Sequence, residues 1–589
     1  MGIDNCDWSG VKTVFFSPFA GVWPNSKSEI ELAESFKREG HDVLFIKCEM
    51  DYQDFCISMS SAGLYEYSES SDKLEACRRC MATREFIHKY FDFPSLNIFN
   101  NLTKSDHDFI DDQIAKLSND NWQDYEFEGV RVGRISAYEF FLRHKITSYS
   151  IPSELWQYYL NQTRNSLLTL LGALRFFESR ALDQAKSVDR VIVSNALYSS
   201  NRIFCEVAKR FNAITYSITQ SGFLFEMDKF LDIQDPFQYT HRVYSPNWKI
   251  VSQIPLFKKE IERVERQINS QVEAKSFWTY SAPLQLAQRH ELAQTLKLPS
   301  TGKIVLLAMS SSDEIFAAQM VSDFFSLDQL SQGSVFKDQF EWLTFVIESF
   351  RATPQNHLII RPHPREFPNK RERGLSSQGQ QIMEFFNKIQ LPSNVSVNWP
   401  DQELSLYHFI PLVDALLIAW SSVAIEFASF GIPVIAYSNP YNLYPNELVT
   451  VASYNEELME KLQQALVDGI QVKRSIIAFR WLNFLHVQST VKLTPPGWRF
   501  TNSIFRIYRI LYTRYRLPLP RFFIQLLVRL LRFMRTNKPS VAKKMILGQR
   551  NALEFTLPVG SVSFGQKQSD NEAREIQKVI SRLLKKIAH

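Results

Sequence analysis

Six cysteines in 589 residues are too few to staple a chain of this length, and a disulfide-framework protein is excluded. The opening stretch MGIDNCDWSG has neither a basic start nor an apolar core. It carries no secretory signal, and a cytosolic location is expected. Its Met-Gly start resembles a myristoylation site, but Cys6 stands where Ser or Thr is required. In a cytosolic chain the sequons at Asn101 and Asn161 are chance matches. No repeat of solenoid period occurs, which excludes a helical array or a propeller. From Gly469 to Leu553 there is no Asp or Glu, although Lys and Arg recur throughout. The whole chain carries a formal net charge of only +5, so the remainder is net acidic and the charge is segregated. Segregation of this kind points to an anionic surface as partner.

What is present describes an ordinary folded protein of more than one domain: 45% apolar and 22% charged residues over a length that exceeds a single core. The run VKTVFF, then SKSEIELAESFKREG, then HDVLFIKC reads as strand, helix, strand, with Ser26 or Ser28 as cap and Gly40 as stop. VDRVIVSNALYSSNRIFCEVAKRFNAITYSIT repeats the pattern: strand at Val191 to Val193, helix over Asn201 to Phe211, strand over Ile214 to Ile218. Residues 60 to 180 between these units read as a helical insertion. Cys77-Arg-Arg-Cys80 has the spacing of a zinc knuckle, and with Cys48 and Cys56 it could form a four-thiolate structural site; the alternative is scattered buried thiols.

After a charged connecting helix within Lys249 to Leu296, a second alternation opens at GKIVLLAMSSSDEIF. It continues with the strands HLIIRPHP, VSVNW, DALLIAW and PVIAY, and with helices at DQFEWLTFVIESFRA, ELSLYHFIPLV and SSVAIEFASFG, giving about five strands. The fold class is α/β: two Rossmann-like doubly wound domains with a helical insertion and a basic helical C-terminal tail. The boundaries are 1–245 for the first domain with its insertion, 246–296 for the connector, 297–470 for the second domain and 471–589 for the tail.

Ligands of a doubly wound sheet bind beyond the carboxyl ends of its strands. Three loops of the second domain leave such ends: SSSDE with Ser311, RPHPRE with Arg361 and His363, and WSSVAIE with Ser421, Ser422 and Glu426. The serine hydroxyls and backbone N–H groups at the start of a helix suit an anion. Arg361 adds a permanent cation, His363 a donor that is neutral or charged near neutrality, and Glu426 a carboxylate placed for a ribose hydroxyl. A phosphate ester or diphosphate fits such a space. Each residue also has a plain reading, as a helix cap, a strand-end histidine or a solvated glutamate.

The stretch RPHP followed by ELSLYHFIPLVDALLIAWSSVAIEFASFGIPVIAY resembles the C-terminal half of GT-B glycosyltransferases of bacterial capsule and lipopolysaccharide synthesis. The β-Kdo transferases and polymerases that use CDP-glycerol are among them. Bacterial sialyltransferases are similar in carrying a His-Pro pair and a later Ser-Ser pair, here His363-Pro364 and Ser421-Ser422. The resemblance implies a CMP- or CDP-linked sugar donor held by these pairs, and a glycan or lipid-linked acceptor on the first domain. The acidic pair followed by glycine that supplies the base in sialyltransferases is absent, and EFEG at Glu126 to Gly129 does not match it. Glu29, Glu226 and Asp228 are candidates for the base by position, each with a structural alternative. No DxD-like pair stands at an expected strand end, so the chemistry is expected to need no divalent metal, with Arg361 and His363 neutralising charge.

In the tail, RFFIQLLVRLLRFMR is too short and too charged to span a bilayer. Its arginine spacing suits a helix lying on an anionic inner leaflet, and a peripheral position at the inner face of the cytoplasmic membrane is expected. The alternative is a helix packing back across both domains. No nucleic-acid recognition motif accompanies the basic residues. Two rival functions are a nucleotide-sugar epimerase of the same fold and a non-catalytic scaffold for polysaccharide assembly.

Overall fold

The computed structural model describes residues 13–492, apart from 39, 53, 182–186, 238–245, 275–295, 297, 300, 322–334, 370–373, 403 and 438–443, together with 507, 509–512, 522, 526 and 566–588. Two sheets organise it. The first contains β1 (Thr13–Phe16), β2 (Val43–Lys47), β3 (Ser95–Asn97), β4 (Arg190–Ser194), β5 (Ile214–Ser221), β6 (Phe230–Gln234) and β13 (Val491–Lys492). The second contains β7 (Ile304–Ala308), β8 (His357–Arg361), β9 (Val395–Val397), β10 (Ala415–Ile418), β11 (Val434–Ala436) and β12 (Thr450–Val451).

The first sheet runs β13-β6-β5-β4-β1-β2-β3. Its centre is parallel, and Phe15 pairs in register with Phe45 and Ile192. The TVFF of β1 is buried throughout, as expected of strands covered on both faces, which read as continuous apolar runs. β6 returns antiparallel to β5. The expected insertion is helical, with helices Ser70–Phe91, Lys104–Ala115, Val132–His144 and Ser153–Ala181. It also contains a strand that the reading missed: β3 pairs with β2, and three residues are too few to show an alternation.

The first helix, Trp23–Arg38, starts earlier than expected. Pro24 suits its first turn, where no amide donor is needed. Ser26 and Ser28 therefore lie inside it, and their hydroxyls donate to the carbonyls of Ala20 and Pro24, both at 3.2 Å. Gly40 follows the helix at φ +81, a conformation that glycine adopts without strain.

The second sheet is parallel throughout, in the order β12-β11-β10-β7-β8-β9. Two expected helices shrink. ELSLYHFIPLV forms only a 3-10 turn at Leu406–Phe409. The segment after Trp420 forms only Val423–Ala428, closed by Gly431 at φ +82.

Beyond residue 471 the chain packs back onto both halves. The helices Asn455–Asp468 and Val472–Asn483 carry the chain back to the first sheet, where β13 pairs antiparallel with β6. The last helix, Gln566–Ala588, packs on the connecting helix Lys258–Val272 through Ile576, Val579, Leu583 and Ile587, in one core with Val264, Ile268 and Trp481. Arg480 and Glu572 close this junction as a buried ion pair, with Arg480 also donating to the Ser252 carbonyl at 2.5 Å and Glu572 accepting from the Leu256 amide at 2.8 Å. Further along, Tyr512 donates to Glu85 of the first domain at 2.6 Å. Most of RFFIQLLVRLLRFMR lies outside the described residues. Phe522 and Leu526, which belong to it, are exposed. Among the described residues no helix is long and apolar enough to cross a membrane.

Candidate functional site

The strand order of the second sheet reverses between β7 and β10, which opens a crevice at their carboxyl ends. The three expected loops meet there. The Met309 amide donates to the Arg361 carbonyl at 3.0 Å, and Trp420 donates through its amide to Ser310 Oγ at 3.2 Å and through its indole to the Ser311 carbonyl at 3.4 Å.

His363 is half-buried. Its Nδ1 accepts from the Arg365 amide at 3.3 Å. Burial, then Arg365, Arg361 and Lys145, hold its pKa down at about 3. The ring is thus neutral near pH 7, and with Nδ1 accepting, its proton is assigned to Nε2. Burial first, and then the cations around it, work against the charge change near neutrality that the sequence led one to expect.

Arg361 is buried and turned away from solvent. It bonds Asn398 Oδ1 and the Leu404 carbonyl at 2.9 Å, over the Phe409 ring. Burial lowers its pKa to about 10, which leaves it protonated. It is a strut under the loop, and only its charge, not its hydrogen bonds, reaches the crevice.

Ser311 is buried between two carboxyls, Asp313 Oδ1 at 2.6 Å and Glu366 Oε1. A hydroxyl has one proton to donate, so one of these contacts requires a protonated acid. Burial raises the pKa of Glu366, which also bonds Ser376. Ser311, held between these two carboxyls, belongs to the support of the loop. The same loop carries Arg365, which pairs with Asp313 at 2.6 Å and Glu314 at 2.8 Å. Glu366 and Arg365 stood in the RPHPRE motif, but their roles depend on partners distant in sequence.

Ser421 is buried and its Oγ accepts from the Val423 amide at 3.4 Å, whereas Ser422 is exposed and makes no cap. The helix they precede has six residues, too short for the expected dipole to act as an anion site. Glu426 accepts from the Tyr407 hydroxyl at 2.8 Å, and burial raises its pKa to about 7.

The first sheet reverses its order between β1 and β4. Glu29 spans that point: Ser17, just past β1, donates to it at 2.5 Å, and Ser194, ending β4, at 2.6 Å. Burial raises its pKa despite both bonds. Glu226 is corrected to a structural role, because it pairs with Arg263 at 2.5 Å and Lys229 at 3.4 Å and its pKa is lowered. Asp228 lies on the single turn Met227–Lys229, and its side chain is outside the described residues. A carboxyl that sequence reading missed is Glu139, which is buried and accepts from the Ser199 amide at 3.0 Å and from its hydroxyl at 2.6 Å.

Burial raises the pKa of Cys56, and Cys80, Cys48 and Cys77 lie close enough for each to raise it further. Among the described residues no group of three or more His, Cys, Asp or Glu side chains is arranged to hold a metal ion. Cys80 instead accepts from the Gly21 amide at 3.1 Å and touches Ser58 Oγ at 3.4 Å, and burial pushes the Cys48 thiol up to about 12.

No protein-family model matches the chain, and no curated protein sequence matches it. Solved structures with similar folds include the β-Kdo 2,4-transferase KpsC of Thermosulfurimonas dismutans, at 12% identity and TM-score 0.29, over 50% of this chain and 79% of that one. The glycosyltransferase SnogD of Streptomyces nogalater is similar at 11% identity and TM-score 0.23, over 80% and 95%. The UDP-GlcNAc 2-epimerase of Methanocaldococcus jannaschii, in complex with UDP-GlcNAc and UDP, is similar at 10% identity and TM-score 0.23, over 81% and 99%. Likeness at this level assigns neither an activity nor a ligand to this chain.

Proposed function

We propose that the chain is a glycosyltransferase moving a sugar from a nucleotide-activated donor, CMP- or CDP-linked, to a surface polysaccharide or lipid-linked glycan. The observation that carries the reading is the convergence of the Ser310, His363 and Trp420 loops on the reversal point of the second sheet. His363 Nε2–H is the donor toward the leaving phosphate, and Glu426 is placed on the same sheet edge for a ribose hydroxyl. At the reversal point of the first sheet, Glu29 is the base. The acceptor hydroxyl gives its proton to Ser17, which is half-exposed and passes its own to Glu29. The acceptor oxygen bonds the anomeric carbon as the bond from that carbon to the phosphate oxygen breaks, and the nucleotide leaves with the electron pair.

No metal is assigned to this step: the neutral His363 donor and the nearby charge of Arg361 are the groups proposed to offset the developing phosphate charge. The basic tail, 471–589, through its stretch RFFIQLLVRLLRFMR, is the proposed contact with the inner face of the cytoplasmic membrane, where a lipid-linked acceptor resides.

Calorimetric titration of CMP, CDP and UDP into wild type and His363→Ala tests the donor site. Binding by wild type and loss in the variant are expected; equal affinity in both removes His363 from the site. Incubation with donor alone separates a transferase from an epimerase, since only the latter converts donor without an acceptor.

A further inference from the structure

The last helix, Gln566–Ala588, and the connecting helix, Lys258–Val272, run side by side in the same direction: Arg582 pairs with Glu265 at 2.8 Å, and one turn further on Lys586 bonds Asn269 at 2.9 Å. The buried Arg480–Glu572 pair and the shared apolar core fix the two on each other. At the end where both begin they leave an open groove of about 770 Å³, a size common among ligand sites. Neither sheet lines it, so it is separate from both crevices. Because its walls are already pinned, filling it costs little reorganisation.

The groove has an apolar wall and a basic rim. Leu256 and Ile261 are buried in the wall, whereas Phe257 beside them is 61% exposed. Four cations line the same space: Lys258, Lys567, Arg574 and Lys578. Only two carboxyls face them. Glu572 is committed to Arg480 and to the Leu256 amide at 2.8 Å. Glu575 takes Lys578 at 2.6 Å, and the charge of Lys258 reaches it as well.

The other cations have no acid of their own. Arg574 bonds neutral oxygens, the Asp570 carbonyl at 3.3 Å and Asn571 Oδ1 at 2.5 Å. Among the described residues the ammonium groups of Lys258 and Lys567 make no hydrogen bond and no ion pair. Gln568 lines the groove too, and its Nε2 is buried without a hydrogen-bond partner. Buried donors left unbonded are rare.

A cleft of one charge sign with an apolar wall concentrates counter-ions. The donors stand on two helices, and a phosphate presents oxygens in several directions, whereas the two oxygens of a carboxylate share one plane. Bonds from ammonium and guanidinium groups to phosphate are charge-assisted. The exposed Phe257 ring suits an apolar chain attached to that phosphate.

We infer that this groove binds a phosphate-bearing ligand, at a site separate from the donor crevice, through Lys258, Lys567, Arg574 and Gln568. The phosphate belongs to a free diphosphate or to the headgroup of a lipid, which offer the same oxygens to the same donors. This site does not rest on the glycosyltransferase reading.

The test is calorimetry on full-chain His363→Ala, which lacks the imidazole of the donor crevice. Inorganic diphosphate and geranyl diphosphate are titrated into it, and into the same chain carrying Lys258→Ala with Lys567→Ala or Lys258→Arg with Lys567→Arg. Alanine favours helix and both lysines are exposed, so all variants should unfold at the same temperature. Diphosphate should bind His363→Ala, more weakly as salt rises, about ten-fold more weakly in the alanine pair, and with most of that loss recovered in the arginine pair. No diphosphate binding by His363→Ala, or undiminished binding by the alanine pair, overturns the inference. Phe257→Ser identifies the source. Tighter binding of geranyl than of inorganic diphosphate, lost with the ring, assigns a lipid headgroup; equal binding of the two probes assigns a free phosphate. If wild type binds diphosphate through these lysines but binds no nucleotide, the groove stands and the donor reading falls.

Discussion

The Ser194 hydroxyl donates to Glu29 across 2.6 Å, which holds a carboxyl of the first helix over the carboxyl end of β4. With Ser17 bonded to its other oxygen, a glutamine in place of Glu29 accepts from one serine through its carbonyl and donates to the other through its amide, that hydroxyl turning to accept. Glu29→Gln should therefore fold and bind nucleotide as wild type does, while kcat falls by about 10²- to 10⁴-fold, the usual contribution of a general base. Burial raises the pKa of Glu29, and a base must be deprotonated to act. The acid limb of the rate profile should accordingly lie above the usual carboxylate range; an unaltered kcat in Glu29→Gln removes it from the chemistry.

His363 predicts an absence of pH dependence. Its pKa is held at about 3 by burial and by three cations, so it stays neutral between about pH 5 and about pH 8. Nucleotide affinity should show no inflection near the ordinary histidine value that disappears in His363→Ala. A titration curve in which such an inflection is present and is lost with the ring would show a protonated imidazole at work instead.

Glu426 predicts a pH-dependent stability. Its folded pKa is raised from 4.5 to about 7 by burial, so the folded state favours the proton. The associated stability is fully present below about 4.5 and is lost as pH rises through about 7. Glu426→Gln carries no such charge, and relative to wild type it should gain on the order of 1–3 kcal/mol between about pH 5 and about pH 8. Chemical unfolding at the two pH values measures the difference, with a pH-independent gap as the contrary outcome.

The Arg480–Glu572 pair ties the returning helix to the last one. Arg480→Met leaves Glu572 buried beside only the Leu256 amide, and the loss should be about 3–5 kcal/mol. Adding Glu572→Leu should recover much of it, because an apolar pair of similar volume replaces two buried charges. Thermal unfolding of the single and double variants decides; additive losses would mean that the pair is not a coupled unit.

The strands were legible because parallel strands buried on both faces are unbroken apolar runs. Val191 to Val193 and the HLIIR of β8 announced themselves this way. The three loops of the second sheet followed from strand ends alone. Short or interrupted elements did not follow: β3 has three residues, and the apparently periodic ELSLYHFIPLV forms only one 3-10 turn.

Composition and pattern by themselves determined two α/β domains, a helical insertion, the edge of the second sheet that forms a crevice, and a segment without acids. Tertiary structure alone decided which side chains of that edge are struts and which are donors. Arg361, Ser311 and Asp313 look alike in sequence as polar groups at strand ends, yet burial turned Arg361 onto Asn398 and locked Ser311 between Asp313 and Glu366. The same holds for Lys145, which meets the loop 220 residues later. Hydrogen bonds and desolvation depend on what packs around a group, and neighbours brought together from opposite ends of a chain leave no local signal.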